Sequence, residues 1–351
     1  MASLAPSLPR TAQPWRRTVV SSLTTLLSRS GYLARRLRRY PGLRILTYHG
    51  VCADGLAGEA WLPRHFVTEG RFVRQMRILS DLGRIVHLPE VMTDLERGRP
   101  LRGPGFAITF DDGHASTLRH AVPIMRELGI RATFFVATGH VDHGEGFLSD
   151  RLGLLGGLPH RVRANMCPQL RFLVESPARS KRVPHDEVKG LLDEHWPAVA
   201  EFLDPRSVEA LRPASWRELS GLHDSGHEIA AHTVFHVILG RETRQRRETE
   251  IVGSIRRVRE HVSRCDGFAY PNGGAGDFDD HDVDILRREG VHYAVTTAPG
   301  RCVPPLDMYR LPRTSIGLGH DDHTFTLETS GWLDARRRRQ HAGAWAALDA
   351  G

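Results

Sequence analysis

Eight short apolar runs, at 43–48, 85–88, 106–110, 132–137, 228–231, 267–270, 292–297 and 309–316, recur along the chain, with longer amphipathic stretches between most of them. The stretch 65–82 places Phe66, Phe72, Met76 and Leu79 at helical spacing, and 115–128, 216–224, 243–261 and 280–288 read the same way. Strands that alternate with helices predict an α/β fold with a parallel sheet. About eight strands in this length point to a closed barrel rather than an open sheet. The stretch 150–214 breaks the rhythm and reads as a helical insertion over one end of the barrel.

In a parallel barrel the C-terminal ends of all strands open on one face, where the active site is built. Five polar strings fall at such ends. Ile108-Thr109-Phe110-Asp111-Asp112-Gly113 sets two adjacent carboxylates after an apolar strand, with Gly113 free to turn sharply. Adjacent residues at a strand end diverge, so one carboxylate can ligate a metal while the other faces substrate; the same string also suits a turn that caps the next helix. His232-Thr233-Val234-Phe235-His236 follows the run 228–231, and two His residues four apart suit one face of a helical turn. A carboxylate and two imidazoles form a three-ligand set that leaves a position open, the pattern of a catalytic metal site. The remaining strings are Leu46-Thr47-Tyr48-His49, Phe268-Ala269-Tyr270-Pro271-Asn272-Gly273-Gly274 and Leu318-Gly319-His320.

These strings resemble the polysaccharide deacetylase family, the NodB-homology domain of family 4 carbohydrate esterases. Thr109-Phe110-Asp111-Asp112-Gly113 matches its first motif in full, and His232-Thr233-Val234-Phe235-His236 matches the second, H-[ST]-x-x-H. The similarity runs from about Leu43 to Leu333, and the insertion accounts for the long gap between the two motifs. The resemblance implies a deformed (β/α) barrel of about 7–8 parallel strands. It also implies that Asp112, His232 and His236 bind a divalent metal, most often zinc, with cobalt, nickel and iron also suited to such donors. Asp111 would be the general base in a metal-activated attack of water on an N-acetyl group. His320 would be the general acid, with His323 the fallback, and His49, Tyr270, Pro271, Asn272 and Gly273 would border the substrate. The backbone N–H of Asn272 would help to hold the developing oxyanion.

One position departs from the pattern. The third motif carries an Arg two residues before its Pro, and here that position is Ala269. That Arg orients the catalytic Asp, so a substitute is needed; Arg313 or Arg310, on the last strand, is expected to reach in. The expected activity is removal of N-acetyl groups from amino sugars in an oligosaccharide, polysaccharide or glycolipid. Two alternatives keep the fold: hydrolysis of another amide, of deformylase or cyclic-amidase type, and a non-catalytic glycan-binding or assembly protein.

Composition limits the remaining choices. The formal charge is +7, yet residues 1–45 hold nine Arg and no Asp or Glu, so the rest carries a balance of −2. The expected organisation is therefore a basic amphipathic segment over 1–42, a barrel over 43–335 and a basic tail over 336–351. The head suits packing on the body, contact with an anionic membrane surface or organelle targeting. Nothing basic and aromatic is interleaved in the body, which argues against nucleic acid as a partner. No apolar run has the length of a membrane span or the uninterrupted core of a signal peptide, so the expected location is cytoplasmic, with peripheral contact at the inner membrane. Cys52, Cys167, Cys265 and Cys302 lack paired spacing and read as isolated thiols. The run Asp277 to Asp284 reads as the solvated start of a helix.

Overall fold

The computed structural model describes residues 31–39, 42–99 and 101–334; the expectations for most of the basic head and for the tail lie outside them. Eight strands form one parallel sheet: β1 (Gly42–Tyr48), β2 (Arg84–Val86), β3 (Pro104–Phe110), β4 (Thr133–Val136), β5 (Glu228–Ala231), β6 (Gly267–Ala269), β7 (Tyr293–Val295) and β8 (Arg313–Ser315). Seven run in the order β8-β1-β3-β4-β5-β6-β7, while β2 pairs with the first half of β3. A parallel bridge between Val295 and Leu311 brings β7 against the approach to β8, so the ring is nearly closed. All eight expected strands are present. The last is shorter than the 309–316 run, because residues 306–312 meet β7 through single backbone contacts rather than a ladder.

Alternation along each strand sorts the side chains. Leu46, Tyr48, Phe106, Ile108, Phe110, Phe134, Ile229 and Phe268 face outward and pack under the helices. Leu43, Ile45, Ala107, Phe135, Ala230, Ala269, Val295 and Leu311 fill the interior, which the helix Leu88–Glu96 plugs from below with Leu88, Val91, Met92 and Leu95. Continuing the same parity past the strand ends brings Asp111, His232 and Arg313 to the inward side at the open face.

Three local differences from the sequence-based expectation bear on the site. The helix expected over 65–82 begins at Glu69, because Val67–Thr68 pairs as a short strand with Val51–Cys52 and draws His65 out of the helix. The insertion consists of helices Leu148–Gly157, His160–Arg163, Pro168–Glu175 and His185–Val199 around an apolar cluster of their own, and of Pro205–Ala210, whose Ala210 joins Trp61, Leu62 and Phe66. Its end returns alongside the first motif, where Ala115 N–H donates to the Arg212 carbonyl and Ala214 N–H to that of Gly113. At the other end of the chain, the helix Tyr32–Arg39 buries Leu33 and Leu37 against the body and leaves Arg35, Arg38 and Arg39 exposed. No described helix is long and apolar enough to cross a membrane.

Candidate active site

The first motif is built by a backbone reversal. Asp111 N–H still donates to the Tyr48 carbonyl at 2.9 Å, and then Asp112 takes φ 73° and Gly113 φ 93°. A side chain at Gly113 would be strained by that φ and would meet Val136 at 3.0 Å. The reversal separates the two carboxylates as the sequence suggests. Asp111 is turned toward the interior and Asp112 toward His232 and His236.

Asp111 meets Arg313. The guanidinium donates to both carboxylate oxygens at 2.7 Å, and through Nε to the Thr296 carbonyl at 2.9 Å. The pair is buried, the arginine almost completely. Ala230 and Ala269 lie in the same interior cluster as Phe135, over whose ring the guanidinium rests at 5.6 Å. Arg310 takes no part in this contact, since it pairs with Asp307 at 2.6 Å and with Asp280.

The second motif is not a helical turn, contrary to the spacing argument. Thr233 and His236 have φ 63° and 56°, and the segment is a bend. It is held from outside, because Glu250, on the helix Arg244–Val262, accepts from the Val234 and Phe235 N–H groups at 2.9 and 2.8 Å. From the other side Gly139 N–H donates to the Val234 carbonyl at 2.8 Å, an approach that a side chain at Gly139 would block against Phe235. The bend turns the two rings together, with centroids 4.8 Å apart.

Asp112, His232 and His236 offer one donor atom each, all within 4.8 Å of one another. The carboxylate lies 3.7 Å from His232 Nε2 and 3.4 Å from His236 Nε2. Two further observations fit a divalent cation. Asp112 Oδ1 is buried with no hydrogen-bond partner. His232 Nδ1 donates to the Ala269 carbonyl at 2.6 Å, which orients the ring and leaves Nε2 for a metal. Burial lowers the pKa of His232, and that of His236 falls well below the usual value through burial and the neighbouring His232, so both rings are neutral near pH 7 with lone pairs available. Burial raises Asp112 to about 7, a cost that a bound cation would remove.

Further histidines surround the triad. His49 lies against His65, ring centroids 4.5 Å apart; His49 Nδ1 and His65 Nε2 are both buried without hydrogen-bond partners. Burial and nearby positive groups, including His65 and Arg313, hold His49 well below its usual pKa, and burial brings His65 down to about 4. His114 Nε2 bonds Asp150 at 2.7 Å, while its Nδ1 lies 4.0 Å from Asp112. Burial opposes charge on His114, but the bond to Asp150 and the fields of Asp150 and Asp112 outweigh it and raise its pKa. Sequence reasoning missed His65, His114 and Asp150. His114 adjoins the first motif and was open to notice, whereas Asp150 comes from the insertion and carried no signal.

The third motif contributes backbone more than side chains. Tyr270, expected to border substrate, instead stacks on Phe278 at 3.7 Å and donates its hydroxyl to the Tyr309 carbonyl, because its parity on β6 sends the ring outward. Pro271 is buried, and Asn272 and Gly273 turn the chain with φ 61° and 57°. Asn272 donates to Asp277 and accepts from Lys181 of the insertion. Asp277 and Asp282 are thus not solvated. Asp277 also accepts from Gly274 N–H, and Asp282 is buried beside Arg247 in the capping box of the helix Asp280–Arg288. After β8, Leu318 N–H donates to the Arg64 carbonyl, which sets the turn carrying His320 next to His65; His320 Nδ1 accepts from Gly317 N–H at 3.2 Å. His323 lies in the first turn of the helix Asp322–Thr329.

Solved structures share the architecture. A Streptococcus pyogenes deacetylase, PplD, in complex with acetate aligns with a TM-score of 0.57 at 17% identity, over 82% of this chain and 98% of that one. IcaB from Ammonifex degensii gives 0.56 at 19%, over 83% and 97%. A de-N-acetylase from Aggregatibacter actinomycetemcomitans gives 0.52 at 15%, over 82% and 99%. At these identities the likeness establishes the fold, a nearly closed parallel barrel with flanking helices. No curated protein matches the sequence. The family model described as polysaccharide deacetylase matches residues 98–294, which take in Asp111, Asp112, the His232–His236 bend and the third motif. With that match over more than half its length, the chain belongs to the polysaccharide deacetylase family of enzymes.

Proposed function

We propose that the enzyme removes N-acetyl groups from amino sugars within an oligosaccharide, polysaccharide or glycolipid, as a metal-dependent hydrolase. The observation that carries this reading is the pairing of two carboxylates in different settings. Asp112 converges with His232 and His236, with one oxygen unpartnered, while Asp111 beside it is fixed by Arg313. Asp112, His232 and His236 would hold a divalent ion, zinc being the first choice for two imidazoles and one carboxylate. When bound, such an ion supplies Lewis acidity and eases deprotonation of water.

The protein's own groups account for the rest of the chemistry. Asp111 accepts the proton of the attacking water, and the two-pronged grip of Arg313 keeps its oxygens oriented while leaving lone pairs to receive that proton. The Asn272 backbone N–H, at the rim of the third motif, is assigned to the carbonyl oxygen as negative charge develops there. His320 is assigned the proton delivered to the leaving amine, with His323 as the alternative donor.

The test is acetate release from N-acetylglucosamine oligomers, with and without added zinc, by wild type and Asp111→Asn. Zinc-dependent release that collapses in the variant is expected. Release insensitive to chelation would overturn the metal assignment. Absence of release from a demonstrably zinc-loaded protein would redirect the reading to another amide.

A further inference from the structure

The two ends of the described chain meet on one surface. Tyr32, which opens the helix Tyr32–Arg39, lies edge-on to Trp332, beyond the helix Asp322–Thr329, with ring centroids 6.1 Å apart. Arg36 covers the same indole at 5.5 Å, and Arg44 anchors the segment through an ion pair with Asp334 at 2.9 Å. Both rings nonetheless stay open to solvent, Tyr32 46% and Trp332 40% exposed. Arg35, Arg38 and Arg39 stand exposed on the same helix. No described carboxylate lies within ion-pair distance of them or of Arg36, while the nearby Asp334 is taken by Arg44. The sequence on either side continues the charge. Arg10, Arg16, Arg17 and Arg29 precede the helix without an Asp or Glu among them, and Arg336 to Arg339 follow Asp334 almost directly.

A basic helix face that merely meets water gains nothing from two large rings beside it, since indole and phenol rings left in solvent forgo the burial of their apolar area. A lipid interface satisfies both features at once. Trp and Tyr rings settle at headgroup depth, with their polar atoms toward water, and Arg side chains reach the phosphates on flexible stems. We propose that Tyr32, Trp332, Arg35, Arg38 and Arg39 form a docking surface for an anionic phospholipid bilayer. The patch flanks the N-terminal end of β1, where Arg44 meets Asp334, whereas Asp111, Asp112 and the His232–His236 bend lie past the C-terminal ends of the strands. Docking therefore leaves the barrel mouth clear of lipid and open to a glycan in the aqueous phase. The inference does not depend on the deacetylase reading, because it concerns the opposite end of the barrel.

The test reads partition onto lipid, so that it stands apart from turnover. The full chain is co-sedimented with vesicles of phosphatidylcholine alone and of phosphatidylcholine mixed with phosphatidylglycerol. Affinity for the mixed vesicles is expected to be higher by about tenfold or more, the order that two or three arginines supply at an anionic surface, and to fall with added salt. The triple variant Arg35→Ser, Arg38→Ser, Arg39→Ser should lose most of that preference, and the matching variant Arg35→Lys, Arg38→Lys, Arg39→Lys should keep it. Trp332→Ala should weaken binding several-fold even in high salt, because the ring's share is apolar and unscreened. Acetate release from soluble oligomers should be the same in all of these variants, which shows that the fold is kept. Equal affinity for the two kinds of vesicle, or a preference that survives the triple Ser variant, would overturn the proposal. Binding that needs the arginines but is indifferent to Trp332→Ala would also overturn it, and would assign the patch to a soluble polyanion.

Discussion

Arg313 carries the most consequential single contact of the site. In the proposed mechanism a buried carboxylate accepts a proton in a fixed orientation and needs a partner that leaves its geometry unchanged, and a guanidinium fork provides two parallel bonds where an ammonium provides a point charge. Arg313→Ala should lower kcat/KM for acetate release by about 100-fold through loss of alignment. It should also destabilise the fold by about 3–5 kcal/mol, because Asp111 would remain buried without its counter-charge. Arg313→Lys should recover part of the stability but little of the rate, since the bonds to both oxygens of Asp111 and to the Thr296 carbonyl cannot all be kept. Steady-state kinetics with denaturant unfolding checks both halves; an Arg313→Ala enzyme with wild-type kcat/KM would remove Arg313 from the mechanism. Glu228 poses a different residue-scale problem. Burial raises its carboxyl to about 7, while the Thr133 and Tyr293 hydroxyls donate to it. The folded pKa lies above the unfolded value near 4.5, so its contribution to stability is complete below about pH 4.5 and is lost as pH rises through 7. Glu228→Gln keeps an acceptor and removes the charge, so its melting temperature should decline less than that of wild type between pH 5 and pH 8. Parallel declines would show that Glu228 does not titrate in this range.

At the scale of elements, the site depends on segments that cross its edge. The His232–His236 bend has two residues with positive φ, a conformation that costs on the order of 1–3 kcal/mol per residue and persists only under external constraint. Glu250 supplies that constraint from one face of the helix Arg244–Val262. Glu250→Ala should therefore weaken zinc affinity by about 10–100-fold, as loss of an outer support does elsewhere, with the helix retained. Competition against a chelating indicator measures it; unchanged affinity would mean that the bend is self-supporting. This bend also shows where sequence reading stopped. Two histidines four apart were visible, and so was their partnership with Asp112, because strand-end position alone converges them. Their local conformation was not, since it is imposed by a glutamate fourteen residues beyond His236 in an otherwise ordinary helix. Tyr270 teaches the same lesson through parity: the string was found, but the strand's alternation decides that the ring points outward. Lys181 and Asp150 reach the site through an insertion whose docking on the barrel has no periodic trace in the sequence. The need for a substitute at Ala269 was readable. The choice between Arg313 and Arg310 followed only from the register of β8, which turns residue 313 inward and leaves residue 310 beside Asp307 and Asp280.

For the whole molecule, barrel and insertion meet around Asp112, His232 and His236, which follow β3 and β5, so an ion bound there would tie together parts of the chain separated by the entire insertion. A ligand that binds the folded state alone stabilises it by about 4 kcal/mol at a thousand times its dissociation constant. Zinc added to the chelator-stripped protein should accordingly raise the melting temperature by several degrees, and Asp112→Asn should abolish the rise. The size of the rise should depend on pH in a defined direction. In the stripped protein Asp112 is raised to about 7, so it contributes stability below the unfolded value near 3.8 and loses it as pH climbs through 7. Above that pH the stripped protein carries a buried, uncompensated carboxylate, whereas the loaded protein has it paired. Below it, protons compete with the ion for Asp112. The gain from zinc should thus be larger at pH 8 than at pH 6, whereas an ion with no link to Asp112 would draw no pH dependence from that titration. Calorimetric melts at the two pH values, for wild type and Asp112→Asn, separate these cases. A zinc effect independent of pH and indifferent to Asp112→Asn would place the ion elsewhere and leave the triad as a buried polar cluster.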